Sequence, residues 1–259
     1  MAAEDKSRFN PLDPVPDERL REFNPDRPGQ SHDPTTIDAG RIAVELGGFE
    51  HVFDPRGPGN PTIRRYIYAN PGVRYGLTNT LEVQIATPLA NLYRTSGSDV
   101  GRGVGDAVLG LKANLLGNEG GTHVLALLPT IKLPTAPRTI GNGYAEINFA
   151  VPYNYNLIRD LALTLEPSVA ALRNSTNTRY RDGYGFIAGL DQTIGRVVVA
   201  SVEIATFTTT ARKEPTNWTM SASLAYFASK NIQLDVGCNF GLNKSTPRYD
   251  PSLGISARF

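Results

Sequence analysis

The chain has 259 residues, 20% of them charged, and a formal net charge of +1. Near-neutrality excludes the basic footprint of a nucleic-acid binder and the charge excess of a disordered chain, and the length fits one large all-β domain. The single cysteine, Cys238, excludes an internal disulfide framework and a Cys-based zinc site. No metal or cofactor is expected.

Residues 1–38 carry Pro11, Pro14, Pro16, Pro25, Pro28 and Pro34 among mixed charges, with almost no periodic apolar residues. They read as an extended N-terminal arm, with one or two helical turns expected over residues 17–23. The opening MAAEDKSRFNP lacks the apolar core of a signal peptide, and no run reaches the roughly 18 apolar residues of a membrane helix. Both absences are expected of a membrane barrel, whose strands hide their hydrophobicity in alternation and whose export signal is removed before folding.

Residues 39–259 form the second unit. From Gly40 onward, runs that alternate in polarity are separated by clusters of Gly, Pro, Asn, Asp, Ser and Thr. Strands are predicted near 41–53, 63–77, 80–92, 105–115, 122–133, 144–156, 160–172, 183–193, 196–208, 217–228, 231–242 and 251–259. The connections alternate as well: those after even-numbered strands are mostly tight, and those after odd-numbered strands are long, including RTSGSDVGRGVG and PTAPRTIGNG. A transmembrane barrel sorts its connections in this way, with short periplasmic turns and longer external loops. The long loops carry a surplus of cations, among them Arg56, Arg94, Arg102, Arg212 and Lys213, which the phosphate-rich outer leaflet would bind.

Within each strand one parity is apolar, as in Leu109, Leu111, Ala113 and Leu115 or Val198, Ala200, Val202 and Ile204. The other parity is small or polar, with charges set in mid-strand: Glu45, Glu82, Asp106, Lys112, Lys132, Glu146, Glu166, Glu203 and Asp235. Period two alone fits a soluble sandwich as well as a barrel. The polar face decides, because Gly, Ala, Ser and Thr around isolated charges suit the crowded inside of a barrel better than a solvated surface. Aromatics near strand ends on the apolar face (Tyr75, Tyr153, Trp218, Tyr226, Phe259) fit membrane-interface girdles. The reading is an all-β, transmembrane, antiparallel up-and-down β-barrel of about twelve strands in the outer membrane of a Gram-negative-type bacterium. The terminal run PSLGISARF, ending on Phe259, resembles the C-terminal strand signal read by the barrel-assembly machinery.

The order of motifs resembles one family, the outer-membrane proteins labelled as transporters of the meta-pathway of phenol degradation. The resemblance rests on NPDRPGQSHDP (24–34) followed by Gly40 and the strand containing Glu45, on GVGDAVLGLKANLL (103–116), and on LALLPTIKLPTAP (125–137). Where the family's arm continues with an aromatic and an acidic residue, this chain has Gln30, Ser31 and His32. The resemblance implies passage of small, often aromatic or apolar, molecules and no defined chemistry.

Enzymatic chemistry finds little support. The histidines are His32, His51 and His123; no His-x-Ser pair occurs, and no acidic residue shares the face of His123. The lumen acids are expected to pair with Lys112, Lys132, Arg74 and Arg258, in a network in which Asp106, Glu166, Glu203 and Asp235 face Lys112 and Lys132. The arm is either a periplasmic tail or a partial plug; as a plug, part of residues 20–38, centred on Arg27 and Pro28, would fold into or against the periplasmic mouth, and Arg27 would pair with lumen carboxylates such as Glu45 or Glu82. The expected function is a channel or transporter working by size exclusion and lumen electrostatics, the alternative being a filled structural barrel that anchors a partner or stabilises the envelope. Expected partners are outer-membrane lipid and lipopolysaccharide, the assembly machinery and a small-molecule solute, with no nucleic acid.

Overall fold

The computed structural model describes residues 5–55, 62–158, 160–173, 179–210 and 214–259. Its strands are β1 (Ile42–Asp54), β2 (Ile63–Gly76), β3 (Leu81–Ala86), β4 (Ala90–Thr95), β5 (Ser98–Gly103), β6 (Ala107–Leu116) and β7 (His123–Leu133). They continue as β8 (Glu146–Ala150), β9 (Tyr153–Ile158), β10 (Leu161–Leu172), β11 (Arg181–Ile194), β12 (Val198–Thr209), β13 (Asn217–Ser229), β14 (Ile232–Gly241) and β15 (Tyr249–Arg258). The named strands pair antiparallel throughout, and β1 pairs with both β2 and β15, which closes the barrel; β5 extends beyond the closed wall and pairs with β4. The segments make a 12-stranded barrel, because β3–β4, β5–β6 and β8–β9 are each one crossing broken in two. No helix among the described residues is long and apolar enough to cross a membrane; strands make the crossing.

Two of the breaks have a simple cause. Pro88 and Pro152 lack the N–H that a ladder needs. Their neighbours keep the chain in the sheet: Leu89 N donates to Ala69 O at 2.8 Å and Val151 N to Pro167 O at 3.0 Å.

One connection departs from the sequence expectation. RTSGSDVGRGVG was expected as a long external loop, but β4 and β5 form a hairpin that turns on Ser96 and Gly97 alone. Both residues have positive φ, 50° and 88°, as a two-residue turn matched to strand twist requires, and Gly97 adopts it without steric cost. The arm departs as well: only Asp17–Arg19 forms a 3-10 turn. A continuing helix would use the Arg21 N–H internally, whereas here it donates to the Asp38 carboxylate at 3.1 Å. The loop cations Arg56, Arg212 and Lys213 lie outside the described residues.

Register fixes the faces. Leu224 and Val236 oppose each other on β13 and β14 and are about half exposed, 51% and 53%, whereas neighbouring Asp235 is buried. The apolar parity therefore covers the outside of the barrel, where lipid would meet it, and the charged parity lines the inside. Trp218 at the external end and Tyr226 and Phe259 at the opposite end stand outward, at the heights where rings meet headgroups. Phe259 also exchanges backbone hydrogen bonds with Ile42, completing the closure.

A lipid-facing position should resist charge according to depth. Leu224→Arg, in mid-strand, is expected to lower unfolding free energy in liposomes by about 2–4 kcal/mol, and Ile232→Arg, at a strand end, by about 0–1 kcal/mol. Equal costs at both positions would contradict this placement.

Candidate solute pathway

Closing the sheet brings the inward charges of separate strands to one level of the lumen. At the centre is Arg74 on β2. Its Nε and Nη2 donate to the two oxygens of Glu82 at 2.7 and 3.1 Å, and its Nη1 donates to Glu45 at 3.0 Å. Lys112, fully buried and cross-strand from Glu82, donates to Asp26 of the arm at 2.8 Å. Asp26 also lies 3.6 Å from Arg74, so one arm carboxylate joins two wall cations. A second group sits toward the external end, where Lys132 meets Asp106 at 2.8 Å and Glu146 at 3.3 Å.

The remaining wall carboxylates engage the arm, mostly through its backbone. Glu45 accepts the amides of Asp26 and Arg27, each at 3.1 Å. Glu203 accepts those of Gln30 at 2.7 Å and Ser31 at 3.2 Å, together with the Ser31 hydroxyl. Glu166 accepts the amide of His32 at 2.7 Å and contacts its Nδ1 at 3.0 Å. Glu82 accepts the amide of Ile37 at 2.6 Å. Arg27 contributes a side-chain pair with Asp235, at 2.8 Å. Its guanidinium lies so close to Gly254 that a Cβ there would come within 2.5 Å of it, which accounts for glycine at that inward position.

The ends of the arm are held at the periplasmic mouth. Asp38 is completely buried and pairs with Lys6 at 3.1 Å, Arg21 at 3.3 Å and Arg258 at 3.5 Å. Glu119, in the turn before β7, pairs with Lys6 and Arg21, each at 2.7 Å. Phe23 and Ile37 bury against Ala43 with Phe227 beside them, and Phe9 and Val15 bury against Ala39.

Two cavities flank the arm. One of about 1360 Å³ reaches the periplasmic turns and is lined by Asn24, Asp33, Asn154, Asp191, Thr193 and Gln233, among others. One of about 210 Å³ lies between Asp26, Arg27 and the wall residues Glu45, Gln84 and Thr130. Pro28 lines the larger cavity.

Every wall charge named from the sequence faces inward, but the pairing is not the one expected from the wall alone. Lys132 meets Asp106 and Glu146; Lys112 meets Asp26 and Glu82 instead of Glu166, Glu203 or Asp235. Those three carboxylates are satisfied by the arm. Arg27 places its amide on Glu45 and its side chain on Asp235, away from Glu82. Sequence reasoning missed Asp26, Gln30, Ser31 and His32 as contact residues. Asp26 could have been found as an acid beside Arg27, whereas backbone amides leave no trace in a residue pattern. His51 stacks on Tyr66 and His123 on Tyr155, outside the lumen network.

Titration of the arm follows from these contacts. Burial would raise the Asp26 carboxyl, but Arg74 and Lys112 outweigh it and hold it well below the usual range. Burial would lower His32, but the hydrogen bond and charge of Glu166 raise it above 6.5. Burial pushes Asp33 up to about 6, with hydrogen bonds from Thr35 opposing.

The family model described as "Putative MetA-pathway of phenol degradation" matches residues 25–259. Among solved structures, the COG4313 outer membrane channel from Pseudomonas putida F1 is similar, with TM-score 0.69 and 16% identity over 90% of this chain and 99% of that one. The NanC porin has TM-score 0.54 and 10% identity over 84% and 98% of the two chains, and the KdgM porin 0.52 and 11% over 85% and 99%. At these identities the likeness is one of fold. No curated protein sequence matches the chain.

Arg74→Met leaves Glu45, Glu82 and Asp26 without their shared cation and is expected to cost about 3–5 kcal/mol of stability. Glu82→Gln in that background should cost less than the sum of the single changes, and strict additivity would show that the two side chains do not interact. The pH response has a definite sign. The stability that Asp33 and His32 lend to docking is complete below their unfolded values, 3.8 and 6.5, and is lost as pH rises through the raised folded ones. That of Asp26 is present above 3.8 and lost as pH falls through its depressed value. Protease cleavage of the arm should therefore increase as pH rises toward about 6, where Asp33 ionises, and again above 6.5, where His32 loses its proton, and His32→Gln should remove the second rise. An unchanged rise in that variant would assign it to another group.

Proposed function

The chain belongs to the MetA-pathway of phenol degradation family, and from that premise we propose that it is an outer-membrane channel for small solutes, its bore set jointly by the barrel wall and the arm docked within it. The observation that carries this reading is the cavity of about 1360 Å³ between the periplasmic turns and the arm. A barrel of about eight strands is filled by its own side chains and one of sixteen leaves a wide channel, so twelve strands with a segment inside leave a narrow passage.

The arm acts as a partial plug and not as a free tail. Hydrogen bonds to charged groups contribute about 1.5–3 kcal/mol each, and six arm amides on four wall carboxylates would have to be released together for the segment to leave. Solutes therefore pass beside a docked arm, selected by width and by the charges left facing the gap. The family's description points to solutes of the size and chemistry of phenols, and the protein's role is passage with no chemical conversion. Phe259, exposed at the end of the closing strand, serves the assembly machinery during biogenesis.

Planar-bilayer recording tests both parts. Deletion of residues 1–36 is expected to give larger or noisier conductance and a lower melting temperature, and Arg27→Ala part of each effect. A deletion variant that conducts and melts like the full chain would reduce the arm to a tail; a full chain and a deletion variant that both fail to conduct would favour the structural-barrel alternative.

A further inference from the structure

The register of five neighbouring strands stacks three rows of side chains on the outside of the barrel near its external rim. The uppermost row is Tyr249, Phe53, Arg64, Arg94 and Asp99; the next is His51, Tyr66, Leu92 and Arg102; the third is Leu253, Phe49, Tyr68 and Ala90. These rows face lipid, since Leu253 and Tyr68 are about half exposed while Ile67, of opposite parity, is buried in the lumen wall. The rings form a continuous platform: His51 stacks on Tyr66 at 4.5 Å, Phe53 on Tyr249 at 4.8 Å, and Phe49 meets Tyr68 at 5.6 Å.

Above and beside this platform the charge is one-sided. Arg64 and Arg94 are direct cross-strand neighbours, an arrangement that is unfavourable without a counter-charge. Arg64 lies over the Phe53 ring at 5.3 Å. Arg94 and Arg102 share Asp99, at 2.6 and 3.4 Å, so among the described residues three guanidiniums stand with one ion-paired carboxylate. Their height is that of the headgroups, where aromatic girdles sit. The patch faces away from the lumen, so a solute in transit does not meet it.

A ligand that completes this surface needs anionic groups at headgroup height and apolar chains directly beneath. Guanidinium groups bind phosphate oxygens in pairs, and rings at the interface pack on acyl chains. We infer that this rim is a binding site for a phosphorylated glycolipid of the outer leaflet, its phosphate held by Arg64, Arg94 and Arg102 and its acyl chains laid over Tyr66, Tyr68 and Phe49. The inference rests on the orientation of the barrel and not on which solute it passes.

The test is native mass spectrometry of the full chain in detergent with bisphosphorylated lipid A, with the same lipid stripped of its phosphates, and with inorganic phosphate. Bisphosphorylated lipid A should be retained one to one, and the Arg64→Gln/Arg94→Gln pair should raise its Kd by about tenfold or more, equivalent to at least ~1.4 kcal/mol. Arg138→Gln/Lys244→Gln, an equal charge change in other external loops, should leave the Kd unaltered. Heat-modifiable gel migration confirms that each variant is folded. Equal retention of the dephosphorylated lipid, binding of inorganic phosphate as tight as that of the lipid, an unchanged Kd in the first pair, or an equal loss in the second would each overturn the assignment.

Discussion

The lumen has an imbalance of charge that the barrel wall alone does not resolve. At the level of the arm, Glu45, Glu82, Glu166, Glu203 and Asp235 project inward from five strands, and the wall offers Arg74 and Lys112 against them. A buried carboxylate without a partner costs several kcal/mol, so a wall of this composition calls for a cationic, donor-rich occupant. Arg27, His32 and a run of backbone amides supply it, while Asp26 returns one negative charge between Arg74 and Lys112. Wall and arm are thus one electrostatic unit.

This coupling explains other features of the chain. Inward positions are glycine where the arm presses closest, as at Gly47 and Gly254 beside the Arg27 guanidinium. Prolines keep the arm extended, and an extended strand without a sheet partner presents amides that carboxylates can take up. The ion cluster around Asp38 holds the entry and exit of the arm at the periplasmic mouth, so the segment between them spans the lumen as a loop tethered at both ends. The outside of the barrel follows a different rule, set by lipid: apolar at mid-height, aromatic toward the ends, and cationic at the rim beside Arg64, Arg94 and Arg102.

Much of the architecture was legible because a strand exposes its two faces alternately, and period two survives in any single stretch of sequence. The crossings containing Leu109–Leu115 and Val198–Ile204 were readable from their own residues, as was the direction of Glu82, Glu166 or Asp235. The hairpin at Ser96 and Gly97 was not. Gly-rich polar segments read as loop whether or not they pair, and only the presence of β2 beside β4 turned this one into strand.

By itself, then, the sequence determined the fold class, the closed up-and-down order, which face of each strand meets lipid, and which charges enter the lumen. These are local properties, carried by alternation and by turn residues. Tertiary structure alone decided what each lumen charge touches. Side chains of one parity on every strand meet at the same height once the sheet closes, so strand spacing cannot tell which of several acids Lys112 will face. The occupant of that height is a segment more than eighty residues from Lys112 in sequence, and the contacts of Glu203 run chiefly to the amides of Gln30 and Ser31. Every residue except proline carries such an amide, so no side-chain pattern could have marked these.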